Sequence, residues 1–256
     1  MAGKTAHKND YKEALLDAGL LTAANLLDQA GKIDQALGIY NTILKNNPNS
    51  VGALIGRATV SLLDLEDDKA MKDLHKACAL ARQDRSALRM RGLAHLIAGN
   101  FEAANKDFQK QFESGDWDSL VVLFAFALLY KKSGKELARS FLSEAISKDK
   151  IKNKEWPYPN LQLIKGDITM TTLMGLAFSK SKQLEVRAYS GFWKVFSDNP
   201  PEAKADLQFI EATESASAFC RMLAVRGLKI VDEGLVEKYQ QKADRADRIA
   251  DVDFLG

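Results

Sequence analysis

The sequence predicts an all-α solenoid built from helix hairpins, and three observations support this fold class. An alanine returns every 34 residues, at Ala36, Ala70, Ala104 and Ala138. A large apolar residue follows each alanine four positions later, which places both side chains on one face of a helix. Glycine and proline stop signals separate the helical segments, and no segment shows the alternation typical of a strand.

The alanine is small because a second helix must approach closely at that point, and the large residue fills the space beside it. These large residues are Tyr40, Leu74, Phe108 and Leu142. The first helix is predicted from about Asp10 to Ala30, where Gly31 ends it by taking a positive φ. The second helix starts near Ile33 and ends before Pro48. Later turns are predicted at 65–67, 99–100 and 133–134.

The repeat is interrupted after Lys152 by 31 extra residues at 153–183. They begin with Trp156-Pro157-Tyr158-Pro159, which cannot lie inside a helix, and continue as a shortened hairpin with helices at 160–165 and 169–178. The array then resumes, with Ala203 and Leu207 in the repeat phase. The predicted organisation is a disordered tail at 1–9, four repeat units at 10–152, the hairpin insert at 153–183, a further unit at 184–217 and C-terminal capping helices at 218–256.

With its 34-residue period, its repeated alanine and its glycine turn, the sequence resembles the tetratricopeptide repeat (TPR) family. The unit of that family is a helix–turn–helix of 34 residues. The first unit carries Gly31, Ala36, Tyr40 and the closing Pro48. The resemblance implies a right-handed superhelix and a non-catalytic scaffold that binds a partner protein on its concave face. The insert, with Trp156 and the later segment 185–191, is also similar to bacterial NlpI-type TPR proteins. That similarity implies an adaptor for enzymes of the cell envelope.

The TPR resemblance further implies that the first helix of each unit lines a concave groove. Carried onto this chain, the groove residues are Leu21, Asn25, Ile55, Thr59, Leu62, Arg89, Leu93, Leu96, Leu123, Ala127 and Tyr130. They form an apolar trough with one arginine, which suits a helix or an extended segment with apolar anchors. Two other occupants remain open, because large exposed apolar patches are rare on monomers. One is the chain's own last helices, through Leu228, Val231, Leu235 and Tyr239, and the other is a second copy in a homodimer.

Charge and composition narrow the classes of partner. The chain has 36 basic and 34 acidic residues, a net charge of +2, which argues against a nucleic-acid or membrane-surface role. No apolar run reaches the length of about 18 residues that suggests a membrane span. The polar N-terminus has no apolar signal core, so we expect a cytoplasmic protein, or a periplasmic one if a signal has been removed. Cys78 and Cys220 lie far apart and are expected to be structural thiols.

Catalytic patterns are missing from the sequence, so no catalytic residue, metal or cofactor is predicted. No P-loop, GxSxG, HExxH or GxGxxG motif occurs. His75 and His95 could meet across neighbouring units, but two imidazoles without a third ligand make a poor metal site. A basic cluster, Arg82, Arg85, Arg89 and Arg91, crosses the boundary of units two and three. It is either an anion or acidic-peptide site or a solvated rim paired with neighbouring acids.

Overall fold

The computed structural model describes residues 2–113, 115, 117–197 and 200–233, with side chains from Leu15 onward. Within these residues every regular element is helical, which confirms the predicted all-α class. The first eight helices pack in consecutive pairs, as the hairpin pattern predicts. Their bounds are α1 Ala2–Gln29, α2 Ile33–Asn46, α3 Val51–Leu63, α4 Asp67–Leu80, α5 Arg85–Ile97, α6 Phe101–Phe112, α7 Ser119–Ser133 and α8 Lys135–Ser147. Helix α1 begins at Ala2, so residues 2–9, for which the sequence predicts a disordered tail, are helical.

The repeated alanines are close-packing sites. Ala36, Ala70, Ala104 and Ala138 each have no exposed surface, and their large apolar partners are at most 3% exposed. The packing is tight enough to require glycine nearby: a Cβ added to Gly92 would stand 2.5 Å from the Phe108 ring. The 34-residue phase read from the sequence is therefore the packing phase of the hairpins.

The turns of the first three units share one backbone conformation. Gly31, Leu65 and Gly99 stand 34 residues apart, and each has a left-handed φ, of 75°, 62° and 71° respectively. Glycine takes this conformation without a steric penalty, whereas a leucine does not. The middle turn therefore has the same shape as its neighbours, with a strained residue at its left-handed position.

In unit two and again in unit three, a bidentate arginine–aspartate pair joins the two helices of the unit. In unit two, Arg57 donates from Nε and Nη2 to Asp73, at 2.7 and 2.9 Å. In unit three, Arg91 donates in the same way to Asp107, at 2.8 and 2.6 Å. The aspartate hydrogen bond is the main reason why the pKa of each arginine is raised. Both residues of each pair recur at the 34-residue period, so the ion pair is part of the repeat.

Helices α9 to α12 follow α8 and form the insert and the last unit. The insert contains the short helices α9 (Pro159–Lys165) and α10 (Met170–Leu176), and Thr169 caps α10 by accepting a hydrogen bond from the backbone N–H of Thr172. The further unit consists of α11 (Lys180–Val195), a 3-10 turn (Pro200–Ala203) and α12 (Lys204–Glu211). Ala203 and Leu207 are fully buried there, as their phase predicts.

The final described helix, α13 (Ala218–Asp232), returns to the beginning of the row. It packs against α11 and α12, and equally against α3 of unit two. A solenoid held by nearest-neighbour contacts alone would not bring these helices together. The rest of the predicted capping region, 234–256, with Leu235 and Tyr239, lies outside the described residues.

Candidate functional site

The apolar positions of the predicted groove are buried within this chain. Leu62 on α3, Leu93 and Leu96 on α5, and Leu123 and Ala127 on α7 are each at most 2% exposed. Helices α3 and α5 pack together, and α5 packs on α7, so these side chains lie along one continuous surface. These side chains are therefore almost wholly removed from solvent in the described structure.

The other predicted groove residues have more polar or more exposed surroundings. Asn25 accepts a 3.0 Å hydrogen bond from the Tyr40 hydroxyl, and Thr59 donates to the Ile55 carbonyl at 3.0 Å. Leu21 and Ile55 are partly buried against the apolar cluster of units one and two. The remaining members, Tyr130 and Arg89, are half-buried.

Helices α11 and α13 cover the surface. Both pack on α7 through aromatic rings, since the Phe124 ring lies 6.0 Å from Phe192 of α11 and 6.5 Å from Phe219 of α13. Met222 and Leu223 of α13 belong to the same apolar core as the groove residues and have no exposed surface. Helices α11 and α13 therefore share one apolar core with α3, α5 and α7.

Arg226 fixes α13 to the end of α3. Its Nε donates a 2.7 Å hydrogen bond to the Leu62 carbonyl, and its Nη2 forms an ion pair with Asp67. The Arg226 side chain is 4% exposed, so its guanidinium is almost wholly removed from water. A cation at the C-terminus of a helix also interacts favourably with the helix dipole. Arg226 therefore holds α13 against the end of α3 by polar contacts as well as by apolar packing.

A second polar contact holds the other end of α13. The carboxylate of Asp28 accepts a 2.7 Å hydrogen bond from the backbone N–H of Ala218. Burial raises the pKa of Asp28, and the hydrogen bond from Ala218 only partly opposes that rise. Burial and the nearby Asp28 charge also raise the pKa of Tyr40 to about 12. Beside this contact, a Cβ on Gly31 would overlap the carbonyl oxygen of Glu214.

Two open clefts lie on the rim of unit three and share Arg85. The first has a volume of about 530 Å³ and is lined by Arg82, Gln83, Arg85, Leu88, Lys110, Gln111 and Glu113. The second has a volume of about 390 Å³ and is lined by Arg85, Ser86, Arg89, Trp117, Asp118, Ser119, Asn153, Trp156 and Pro157. We call the four cations Arg82, Lys110, Arg85 and Arg89 the basic track.

The arginines of the predicted basic cluster have different surroundings. Arg91 is held by both oxygens of Asp107 and is not part of the track. Arg89 donates only from Nη1, to Asp118 at 2.9 Å, and its Nε is buried without an acceptor in the described part of the chain. Arg82 is exposed. The cluster is therefore one structural arginine beside three that line open clefts.

Tyr189 and Cys220, two further groups with shifted pKa values, are buried in the core. Glu185 accepts hydrogen bonds from Trp156 Nε1 at 2.5 Å and from the Tyr189 hydroxyl at 3.2 Å. Burial and this neighbouring carboxylate raise the pKa of Tyr189. Burial also raises the pKa of Cys220 to about 12, which keeps its thiol protonated.

The two predicted neighbouring histidines do meet. The His75 and His95 rings lie 6.3 Å apart, and burial lowers the pKa of His95. In the described ranges, no group of three or more histidine, cysteine, aspartate or glutamate side chains could hold a metal ion.

Sequence reasoning missed several of these contacts although signals were present. The Arg57–Asp73 and Arg91–Asp107 pairs share the 34-residue spacing that revealed the alanines. An arginine within the apolar run of 222–230 was a sign that Arg226 is anchored in the interior. Lys110 joins the track only through the packing of α6 on α5, for which the sequence held no local signal.

No family model matches the sequence, and no curated protein matches it. Among solved structures, the chain is similar to a tetratricopeptide repeat protein from Parabacteroides merdae ATCC 43184, determined by crystallography at 2.39 Å resolution. The TM-score is 0.49 and the identity 19%, over 88% of this chain and 89% of that chain. Among the described helices, none has both the length and the apolar character needed to cross a membrane.

Proposed function

We propose that this protein is a non-catalytic scaffold that binds a segment of a partner protein, and that its own α11 and α13 close its apolar concave groove. The observation that supports the closed groove is the burial of Leu62, Leu93 and Leu96 in one core with Met222 and Leu223 of α13. A partner helix could occupy these positions only after α13 had left them. That exchange would expose the apolar face of α13 to water, which is unfavourable.

The partner therefore binds outside the groove, on the surface that the hairpins leave open. In this arrangement α13 takes the role of a built-in groove ligand that makes the repeat array rigid. The NlpI-type resemblance of the insert suggests hydrolases and proteases of the bacterial envelope as the partners to test first.

The closed groove is tested by placing a charge in it. Leu93→Glu puts a carboxylate into a site without exposed surface, and it should lower the free energy of unfolding by several kcal/mol. The matched control is Leu26→Glu on α1, where the leucine is 61% exposed and a change within about 0.5 kcal/mol is expected. Both values come from denaturant unfolding. A Leu93→Glu variant as stable as the parent would mean that the groove is open.

Sedimentation and affinity capture test the rest of the proposal. The parent chain should sediment as a monomer, because its own helices cover the groove. A tight dimer whose mass halves on Leu93→Glu would instead assign the closure to a second copy. Immobilised folded protein should retain a partner protein at near-equal molar amount from a lysate of its source. Equal retention on heat-unfolded protein would contradict binding by the folded scaffold.

A further inference from the structure

Two histidines face each other where unit two packs on unit three. His75 lies on α4, the second helix of unit two, and His95 lies on α5, the first helix of unit three. Their ring centroids are 6.3 Å apart and the ring planes are tilted by 47°. We propose that this pair makes the contact between units two and three a pH-sensitive joint, which is closed when both rings are neutral and opens when acid protonates them. The inference goes beyond the scaffold function proposed above and does not depend on it.

The preceding contact in the row shows what stands at these two positions in the absence of histidine. His75 comes 34 residues after Asn41, and His95 comes 34 residues after Ser61. Asn41 joins unit one to unit two, because its side-chain oxygen accepts a 3.3 Å hydrogen bond from Nη1 of Arg57. Neither an amide nor a hydroxyl changes its charge near neutral pH. The contact between units two and three therefore has two titrating groups at positions where its counterpart has neutral side chains.

The surroundings of His95 oppose its protonation. It lies on the same helix as Arg91, whose guanidinium donates to both carboxylate oxygens of Asp107 on α6. Burial is the main reason why the pKa of His95 is lowered. The charge of Asp107 acts in the opposite direction, and Arg91 and His75 both lower the pKa further. The folded protein therefore binds a proton on His95 less tightly than the unfolded chain does.

The other charged groups beside His95 belong to α6 and the residue that follows it. They are Lys106, Lys110 and Glu113, which line the same cleft of about 400 Å³ as His95. Glu113 favours an imidazolium there, and the two lysines oppose it. Helices α3, α4 and α7 also pack on α5, but no charged side chain of these helices lines the cleft. His75 is thus the titrating group that meets His95 from the neighbouring unit.

Acid places a positive charge on each side of the contact. Two imidazoliums at this ring separation repel each other across the boundary between α4 and α5. The ordinary pKa of histidine is 6.5, and that of His95 in the folded protein is lower. The stability contributed by neutral His95 is therefore present above this range and is lost as the pH falls through 6.5 towards the folded value. The contact between units one and two, with Asn41 and Ser61, should not weaken in the same way.

Cys78 is a natural reporter of this joint. It follows His75 by three residues on α4 and is 6% exposed. It belongs to the same apolar cluster as Ala87 and Leu88 of α5, so a separation of α4 from α5 exposes its thiol. The second cysteine, Cys220 on α13, is 2% exposed and lies in a different apolar cluster. The two thiols therefore distinguish an opening of the joint from an opening of the whole fold.

Thiol labelling of the full-length chain tests the proposal. The reagent is dithiodipyridine, which reacts with thiols in acid, and the labelling of each cysteine is followed by mass spectrometry. The comparison chain is His75→Asn with His95→Ser, which carries the residues of the preceding contact. Between about pH 7.5 and about pH 5, the labelling rate of Cys78 in the parent should rise roughly threefold or more relative to this variant. Taking the ratio of the two chains at each pH removes the pH dependence of the reagent itself.

The outcomes that overturn the joint are distinct. A ratio that does not change with pH shows that the histidine pair does not control the contact. Equal acceleration of Cys78 and Cys220 in acid means that the whole fold opens, and the inference is then wrong. The matched control is His7→Asn, which removes the third histidine of the chain and should leave the ratio of the parent unchanged. If His7→Asn abolishes the acid response as the double variant does, the response does not come from the joint.

A measurement on the parent chain keeps the proposal testable if the double variant does not fold. The imidazole C–H signals of His95 and His7 are followed by NMR as the pH is lowered, with His7 as the internal reference. His95 should titrate at a lower pH than His7, because burial opposes its charged form. The amide signals of α4 and α5 should change over the same pH range as His95. A His95 that titrates together with His7 or above it would overturn the joint.

Discussion

The carboxylate of Asp28, near the end of α1, accepts a 2.7 Å hydrogen bond from the backbone N–H of Ala218, the first residue of α13 and 190 positions further along the chain. This contact joins the first unit to the last described helix. A carboxylate at a helix N-terminus satisfies one of the free N–H groups there and interacts favourably with the dipole. The contact therefore helps to hold the start of α13 against the end of α1.

Asp28→Asn should change how stability depends on pH. Burial raises the folded pKa of Asp28 above its ordinary value of 3.8, so the folded protein holds this proton more tightly than the unfolded chain. This carboxyl therefore contributes stability at low pH that is lost as the pH rises through its folded pKa. The free energy of unfolding of the variant, relative to the parent, should rise across that window and stay constant above it.

Denaturant unfolding at several pH values measures this difference. Asp28→Ala is the companion variant, and loss of the acceptor should destabilise the protein by about 1 kcal/mol at neutral pH. If the free energy of unfolding of the parent instead rises relative to that of Asp28→Asn as the pH increases, the ionised carboxylate is net stabilising at the start of α13.

Gly31→Ala should loosen the contact between the first turn and the loop before α13. Its φ of 75° is costly for alanine, and the added Cβ would overlap the carbonyl oxygen of Glu214. Gly134→Ala is the control, since Gly134 also has a positive φ but no atom within 4 Å of an added Cβ. The thermal midpoint should fall clearly further for Gly31→Ala. Equal losses would assign the whole effect to backbone strain and contradict the contact.

Leu65→Gly should stabilise the protein although it removes a side chain. Leu65 has a φ of 62° and is 44% exposed, so relief of the left-handed conformation outweighs the small loss of burial. The expected gain in unfolding free energy is roughly 0.5–1 kcal/mol after the greater entropy of glycine in the unfolded chain is counted. The converse substitution, Gly99→Leu, is at the same turn position in unit three and should lower the free energy of unfolding. A less stable Leu65→Gly would mean that its packing outweighs the strain.

Ala104→Leu should overpack the contact between the two helices of unit three. Ala104 has no exposed surface, so the larger side chain must displace neighbours, at a cost of roughly 1–3 kcal/mol. Ala98→Leu is the control, because Ala98 is exposed at the end of α5. Urea unfolding of the two variants gives the comparison. Equal stability of Ala104→Leu and the parent would mean that this alanine is not a close-packing site.

The similarity of the insert to NlpI-type proteins stays a prediction, and so does the partner class it implies. The predicted groove residues were identified from their place in each repeat. Their place did not reveal what lies against them, because Leu62 or Leu93 would have the same sequence context whether it met a partner or another part of the chain.

The sequence by itself determined the helices, their pairing within each unit and the closely packed alanines. These features depend on contacts between residues four positions apart or between adjacent helices, and such contacts leave a periodic pattern that can be read along the chain. Only the tertiary structure decided where α13 lies. Its contacts join Ala218 to Asp28 and Arg226 to Leu62 and Asp67, pairs far apart in sequence that follow no period. From sequence alone, the Arg226 guanidinium could equally have bound a partner protein or the end of α3. Only the position of α13 against the second unit shows that it binds the end of α3.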